Sequence, residues 1–218
     1  MDFSWSEEQV AIQETARRFA ENKLLPEYQN NDHKHAFDRE MLKEMGRLGL
    51  IGAELSERYG GLELGYVTAG LITEEIARAD FNVAYVQILA GLNGGIIEKF
   101  ATPALANQWI PKIIAGEALC AIALTEPSAG SDAANLKLKA EKKGDVYVLN
   151  GEKTSISAAA QADIAVVFAR TGTTEEKAKG VSAFLVPLDN PKIERTHFDD
   201  LGESVVGRGS LFFDDVEV

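Results

Sequence analysis

Ile113-Ile114-Ala115-Gly116-Glu117-Ala118-Leu119-Cys120-Ala121-Ile122-Ala123-Leu124 decides the fold, because the hydrophobic period changes inside it. Up to Gly116 the apolar residues recur at helical spacing; from Leu119 to Leu124 they run unbroken over the length of a buried strand. Reading back from Gly116, Leu105, Trp109, Ile110, Ile113 and Ile114 belong to one helix opened by Thr102-Pro103. A cap residue followed by proline at the first helical position is a strong start. Residues 66–79 and 83–100 read as two more helices. The second is apolar almost all round (Val83, Ala84, Val86, Ile88, Leu89, Ala90, Leu92), which predicts burial. Glycines inside it cost about 1 kcal/mol each relative to alanine. The run Leu89-Ala90-Gly91-Leu92-Asn93-Gly94-Gly95 therefore reads either as room for an apolar chain or ring, or as close helix packing. Tyr59-Gly60-Gly61 is a loop. Asp38 is placed to cap a helix with Met41, Leu42, Met45 and Leu48 inward and Gly49 at its end. Ser6 with Gln9 makes a capping-box start for a helix burying Ile12, Ala16, Phe19 and Ala20.

Reading forward from Leu124, the period is two. Leu136, Leu138 and Ala140 alternate with Lys137, Lys139 and Glu141, the half-exposed strand pattern. Lys143-Gly144-Asp145 turns the chain into Val146-Tyr147-Val148-Leu149, and Asn150-Gly151 reads as a tight turn. Residues 164–169, 181–186 and 211–213 read as strands, and 171–180 as a polar loop. A helical half followed by a strand half predicts an α+β chain of two domains, residues 1–116 and 117–218.

The 218 residues are 45% hydrophobic and 26% charged, ordinary for a globular protein with a sizeable core. The net charge of −12 is shared equally: each half carries 11 Lys/Arg against 17 Asp/Glu. Such a surface repels a nucleic-acid duplex or an anionic membrane, so no nucleic-acid partner is expected. No apolar stretch reaches the length of a membrane span. Met1-Asp2-Phe3-Ser4-Trp5-Ser6-Glu7-Glu8 lacks the regions of a signal peptide. The lone cysteine, Cys120, cannot form an internal disulfide and reads as a small core residue. A cytoplasmic location is expected, with the mitochondrial matrix open if a transit peptide has been removed.

The chemistry concentrates just past the period change, in Ala121-Ile122-Ala123-Leu124-Thr125-Glu126-Pro127-Ser128-Ala129-Gly130-Ser131-Asp132. A strand runs into a turn rich in proline, small residues and hydroxyls. Such a turn exposes backbone N–H groups beside Thr125 and Ser131, and Gly130 lets backbone approach closely. Donors of this kind suit a planar cofactor that gains negative charge on reduction. Taken alone, the segment reads as well as a tight connection between strands with Asp132 as a cap.

Leu124 to Asp132 resembles the flavin-binding signature of the acyl-CoA dehydrogenases, and matching text surrounds it in order. Leu48-Gly49-Leu50-Ile51-Gly52, Glu57-Arg58-Tyr59-Gly60-Gly61, Glu74-Glu75-Ile76-Ala77-Arg78, Trp109-Ile110-Pro111 and Ala115-Gly116-Glu117 precede it. Tyr147-Val148-Leu149-Asn150-Gly151-Glu152-Lys153 and Phe213-Asp214-Asp215-Val216-Glu217-Val218 follow it. The resemblance implies an N-terminal helical domain, a middle β-barrel-like domain and a C-terminal helical bundle, of which only the first two are matched here. It implies FAD as cofactor, an acyl-CoA substrate oxidised to its α,β-enoyl-CoA, an electron-transfer flavoprotein as partner, and a homo-oligomer, tetrameric at full length. Carried over by residue, Ile122, Ala123, Leu124, Thr125, Gly130 and Ser131 line the flavin and the start of its phosphate tail. Ser131 also lies near the acyl-CoA, and Ser155, Ile156 and Ser157 form a second flavin segment. Many members have tryptophan where this chain has Ser155, which puts the local flavin packing in doubt.

The family's base for the α-proton lies in the unmatched third domain, so no catalytic residue is assigned. The chain is expected to be the N-terminal portion of such an enzyme, inactive alone. The alternative is a non-catalytic subunit or binding protein of the same fold that needs a partner for the third domain. His33 and His35, beside Asp32 in a polar loop, lack further ligands for a metal, and no metal is expected. The acid pairs, Glu74-Glu75 among them, read as solvated surface. Ser131 is no hydrolase nucleophile, since its surroundings are not a nucleophile elbow.

Overall fold

The computed structural model describes residues 4–218; residues 1–3, part of the stretch read above for the regions of a signal peptide, lie outside it. The chain forms two compact units, one running to Leu119 and including Gly202–Val206, the other Cys120–Leu201 with Gly207–Val218.

The first unit is helical: α1 (Glu7–Phe19), α2 (Tyr28–Lys34), α3 (Arg39–Arg47), α4 (Gly65–Ala79), α5 (Phe81–Phe100) and α6 (Pro103–Ile114). Local sequence sets the starts. Ser6 and Gln9 make both bonds of the capping box, Asp38 accepts from Glu40 and Met41 N–H, and Thr102 caps α6 ahead of Pro103. Gly116 ends α6 with positive φ (+69°), and its own N–H and that of Glu117 take up the Ile113 and Lys112 carbonyls. Two glycines allow α3 and the end of α6 to meet backbone to backbone. A Cβ on Gly46 would lie 2.5 Å from the Ala115 carbonyl carbon, and one on Gly116 2.5 Å from that of Leu42. The 202–206 segment joins this unit through Ser204 Oγ to Asp32 Oδ1 (2.8 Å) and Tyr85 Oη to Glu203 (3.0 Å).

The second unit is a curled, mixed seven-stranded sheet, so the chain is α+β. Its strands are β1 (Cys120–Ala123), β2 (Lys139–Lys143), β3 (Val146–Ile156), β4 (Ile164–Arg170), β5 (Val181–Pro187), β6 (Ile193–Arg195) and β7 (Gly209–Glu217). The order is β1-β4-β2-β3-β7-β6, with β5 on β4. β1 runs parallel to β4, while β3 and β7 form a long antiparallel pair. Cys120 is buried in β1, where burial pushes its thiol pKa up.

Several readings change. His33 lies in the last turn of helix α2, not in a loop, and His35, just past its end, is left-handed. Leu48 is exposed because the chain leaves α3 there and Gly49 turns it away (φ +72°). Asn150-Gly151 makes no hairpin: β3 runs through it with a register shift against β7, and Asn150 exchanges bonds with Asp215 across the sheet. Helix α5 is not covered on every side, since Ile88 and Leu92 are each 49% exposed. Glu75 is buried rather than solvated. It holds Arg17 from α1 at 2.9 Å and Arg78 at 3.1 Å, and the Arg17 hydrogen bond draws its pKa below the usual carboxylate value.

Candidate functional site

Beyond Ala123 the chain passes through Leu124 and Thr125 into a loop closed by Glu126 and Ala129, which exchange backbone hydrogen bonds at 3.0 and 3.1 Å. A buried ion pair anchors this loop from below. Lys153, in β3 and 0% exposed, donates to Glu126 Oε1 at 2.8 Å and to the Leu124 carbonyl at 2.9 Å. Glu126 also accepts the N–H groups of Lys137 (2.5 Å) and Leu138 (2.8 Å). One carboxylate thus ties together the end of β1, the approach to β2 and the middle of β3. Burial pushes the Lys153 pKa down, opposed by its bond to Glu126. The Thr154 N–H completes the junction by donating to the Thr125 carbonyl at 2.9 Å.

That junction sets the two segments singled out in the sequence side by side. Ala123 and Ile156 turn their side chains into the core (0% and 2% exposed), so only their backbones remain for a ligand. Ile122, Leu124, Thr125 and Ser157 are half-buried, and Gly130, Ser131 and Ser155 are exposed. Ser155 sits at a bulge where β3 shifts register against β7, with φ +56°. Such a bulge re-aims the backbone beside a site. Among the described residues none bonds to the hydroxyls of Thr125, Ser131, Ser155 or Ser157, nor accepts from the N–H groups of Leu124, Thr125, Gly130 or Ser131.

Arg170 steadies the stretch that follows. Its guanidinium is buried and donates to the carbonyls of Ala134 (2.5 Å), Leu136 (3.1 Å), Thr173 (3.0 Å) and Lys177 (2.9 Å). Sequence reading passed over Arg170 and the Glu126–Lys153 pair alike. The usable signal was a lysine well inside a long strand, where a charge that faces the core requires a buried partner.

The helical unit carries a groove of about 460 Å³ between α4 and α5, lined by Tyr66, Thr73, Ile88, Leu92, Ile96 and Phe100 among others. The two readings of the α5 glycines divide by position. Side chains on Gly91 and Gly94 would strike Glu54 and Leu55, which is close packing, whereas one on Gly95 would meet nothing within 4 Å. Among the described residues no group of His, Cys, Asp or Glu could hold a metal ion, and no helix is long and apolar enough to cross a membrane.

The family model for the N-terminal domain of acyl-CoA dehydrogenase matches residues 6–117, and that for the middle domain residues 121–216. The chain belongs to the acyl-CoA dehydrogenase family. It is 36% identical to the glutaryl-CoA dehydrogenase of Desulfococcus multivorans, over all of this chain and 57% of that protein. The butyryl-CoA dehydrogenase structure from Megasphaera elsdenii superposes with TM-score 0.91 at 34% identity, over all of this chain and 58% of that one. A Mycobacterium smegmatis glutaryl-CoA dehydrogenase, solved in complex with FADH2, gives TM-score 0.89 at 27% identity, over 98% of this chain and 54% of that one. The chain therefore spans a little over half the length of these three family members.

Proposed function

We propose that residues 4–218 supply the flavin-facing wall and part of the acyl-facing surface of an FAD-dependent acyl-CoA dehydrogenase. The observation that carries this reading is the junction of residues 122–131 with 155–157, where hydroxyls and backbone N–H groups stand unbonded beside a loop pinned by a buried ion pair. The donor set fits the group. A flavin ring offers carbonyl and imine acceptors that gain negative charge on reduction, and preorganised N–H and O–H donors favour that state. FAD, when bound, supplies the acceptor for the hydride that leaves the acyl β-carbon.

The residues here hold and orient. Thr125 would offer its N–H and hydroxyl to the ring, and Ser155 and Ser157 theirs from the adjacent bulge. Gly130 and Ser131 would receive the start of the phosphate tail, with Ser131 also near the thioester. A serine at 155 leaves the ring without an aromatic neighbour at that position. The α4–α5 groove would take the acyl group, its exposed Ile88 and Leu92 matching an apolar chain. We assign no α-proton base within these residues, and place that base, much of the adenine site and the oligomer contacts in a further helical domain. An electron-transfer flavoprotein is the proposed electron acceptor.

The test is cofactor identity and site dependence in the full-length gene product. Acid release should yield FAD, and Thr125→Ala and Ser131→Ala should each lower the flavin retained per chain. A flavin-free protein, or variants that both keep the parental flavin content, would show the loop to be only a turn.

A further inference from the structure

Two consecutive carbonyls leave the end of β1, and the protein holds both. Thr125's is met by a backbone donor, the Thr154 N–H; Leu124's has no backbone donor among the described residues and is met by the Lys153 ammonium. Among the described residues every peptide bond is trans. In a planar trans peptide the C=O and the following N–H point in opposite directions. Holding the Leu124 carbonyl against Lys153, which is 0% exposed, therefore turns the Thr125 N–H away from the interior. That N–H has no acceptor among the described residues, and it belongs to the residue whose half-buried hydroxyl is also unbonded.

We propose that Lys153 is a positioning residue: through the Leu124 carbonyl it fixes the Leu124–Thr125 peptide plane, and so aims the Thr125 N–H at the flavin. This inference rests on the reading of residues 122–131 as the flavin wall. Glu126 has the complementary task. It compensates the ammonium and anchors it to the Lys137 and Leu138 N–H groups, so that the lysine cannot swing out of reach of Leu124. A surface lysine would be a weak pin, because it loses conformational entropy on being held and water competes for its donors. The full burial of Lys153 removes the competition with water. Nothing in this role moves a proton or an electron; the lysine acts on the flavin only through the peptide it holds.

Lys153→Met alone would leave Glu126 as a bare buried charge and confound position with stability. The informative variant is therefore Lys153→Met with Glu126→Gln. It leaves a neutral pair, and the one glutamine oxygen keeps one of the two bonds, from Lys137 or from Leu138, that separate Glu126 oxygens accept in the parent. The full-length gene product, its double variant and Thr125→Ala are compared by thermal unfolding of the apo form, FAD affinity and flavin reduction potential. The expected result is a double variant that unfolds about 2–4 °C below the parent, as one lost backbone bond implies, binds FAD about fivefold more weakly, as misaiming one ligand hydrogen bond implies, and holds a flavin that is harder to reduce.

If the double variant matches the parent in affinity and potential while Thr125→Ala does not, the ion pair is scaffold only and the inference is overturned. If the parent takes up no FAD, or Thr125→Ala and Ser131→Ala both bind it as the parent does, the flavin-wall reading itself fails and takes the inference with it. Amide exchange on the parental protein gives a check that depends on no variant. Without FAD, the Thr154 amide should be protected and the Thr125 amide should exchange freely; FAD should protect Thr125. A Thr125 amide that exchanges equally fast with and without bound FAD contradicts the proposal.

Discussion

Gly116→Ala tests how the helical unit is held together, and its cost can be worked from two separate terms. Gly116 has φ +69°, a conformation that costs an L-residue about 1–2 kcal/mol. The second term is steric. The new Cβ would lie 2.5 Å from the Leu42 carbonyl carbon and closer still to its oxygen. Backbone atoms cannot rotate aside, so α3 must shift away from the end of α6, an overpacking cost of about 1–3 kcal/mol. The stiffer unfolded chain of the alanine variant returns about 0.4–1 kcal/mol. The net expectation is a loss of about 2–4 kcal/mol. Gly144→Ala is the control, since its φ is +64° but a Cβ there meets nothing within 4 Å; it should cost about 1 kcal/mol from the conformational term alone. Urea unfolding followed by far-UV circular dichroism measures both. Equal losses for the two variants would mean that the α3–α6 contact contributes nothing and that the steric argument is wrong.

Thr125→Ala should weaken FAD binding about fivefold, the equivalent of about 1 kcal/mol for one hydrogen bond. The apo protein should unfold as before, because no described residue bonds to that hydroxyl; Thr125→Ser should restore affinity, and a destabilised apo form would contradict the assignment. At low pH, Glu75 gives a signed prediction. Its bond with Arg17 lowers the folded pKa beneath the ordinary 4.5, so its contribution is present above that value and is lost as pH falls through the folded pKa. Glu75→Gln should flatten the acid limb of the urea midpoint plotted against pH; an unchanged slope would place the acid sensitivity elsewhere. In the α4–α5 groove, Gly95→Leu should raise stability by up to about 1 kcal/mol, the helix cost of glycine, and shift acyl-CoA preference towards smaller acyl groups. Gly91→Leu should destabilise the fold through Glu54, and the reverse ranking would refute the division of these glycines.

Much of this was legible in sequence where a local rule and the tertiary structure agree. Gly116 read as a helix stop from its place after Ile113 and Ile114, and it does end α6. Its second task, lying against the Leu42 backbone, depends on a helix far away in sequence that no periodicity reveals. Asn150-Gly151 failed for the converse reason. The dipeptide suits a hairpin turn, but cross-strand bonds from Asn150 to Asp215 and the room that Gly151 leaves beside Leu138 make it a bulge inside β3. Strand β6 is too short to carry a pattern. The composition of the 122–131 turn pointed to donors at one place. The rigidity of that turn comes from Glu126 and Lys153, which are 27 residues apart and are joined only once the sheet has curled.

The 122–131 and 155–157 segments are proposed to form the flavin wall of an enzyme that oxidises acyl-CoA thioesters. Anaerobic mixing of the full-length gene product with a panel of saturated straight, branched and dicarboxylic acyl-CoAs tests this proposal most directly, with the visible flavin band and the acyl product followed together. At least one member of the panel should bleach the band and yield the corresponding enoyl-CoA in equal amount. A flavin that stays oxidised against the whole panel, or a protein that purifies without flavin and takes up none, would contradict it.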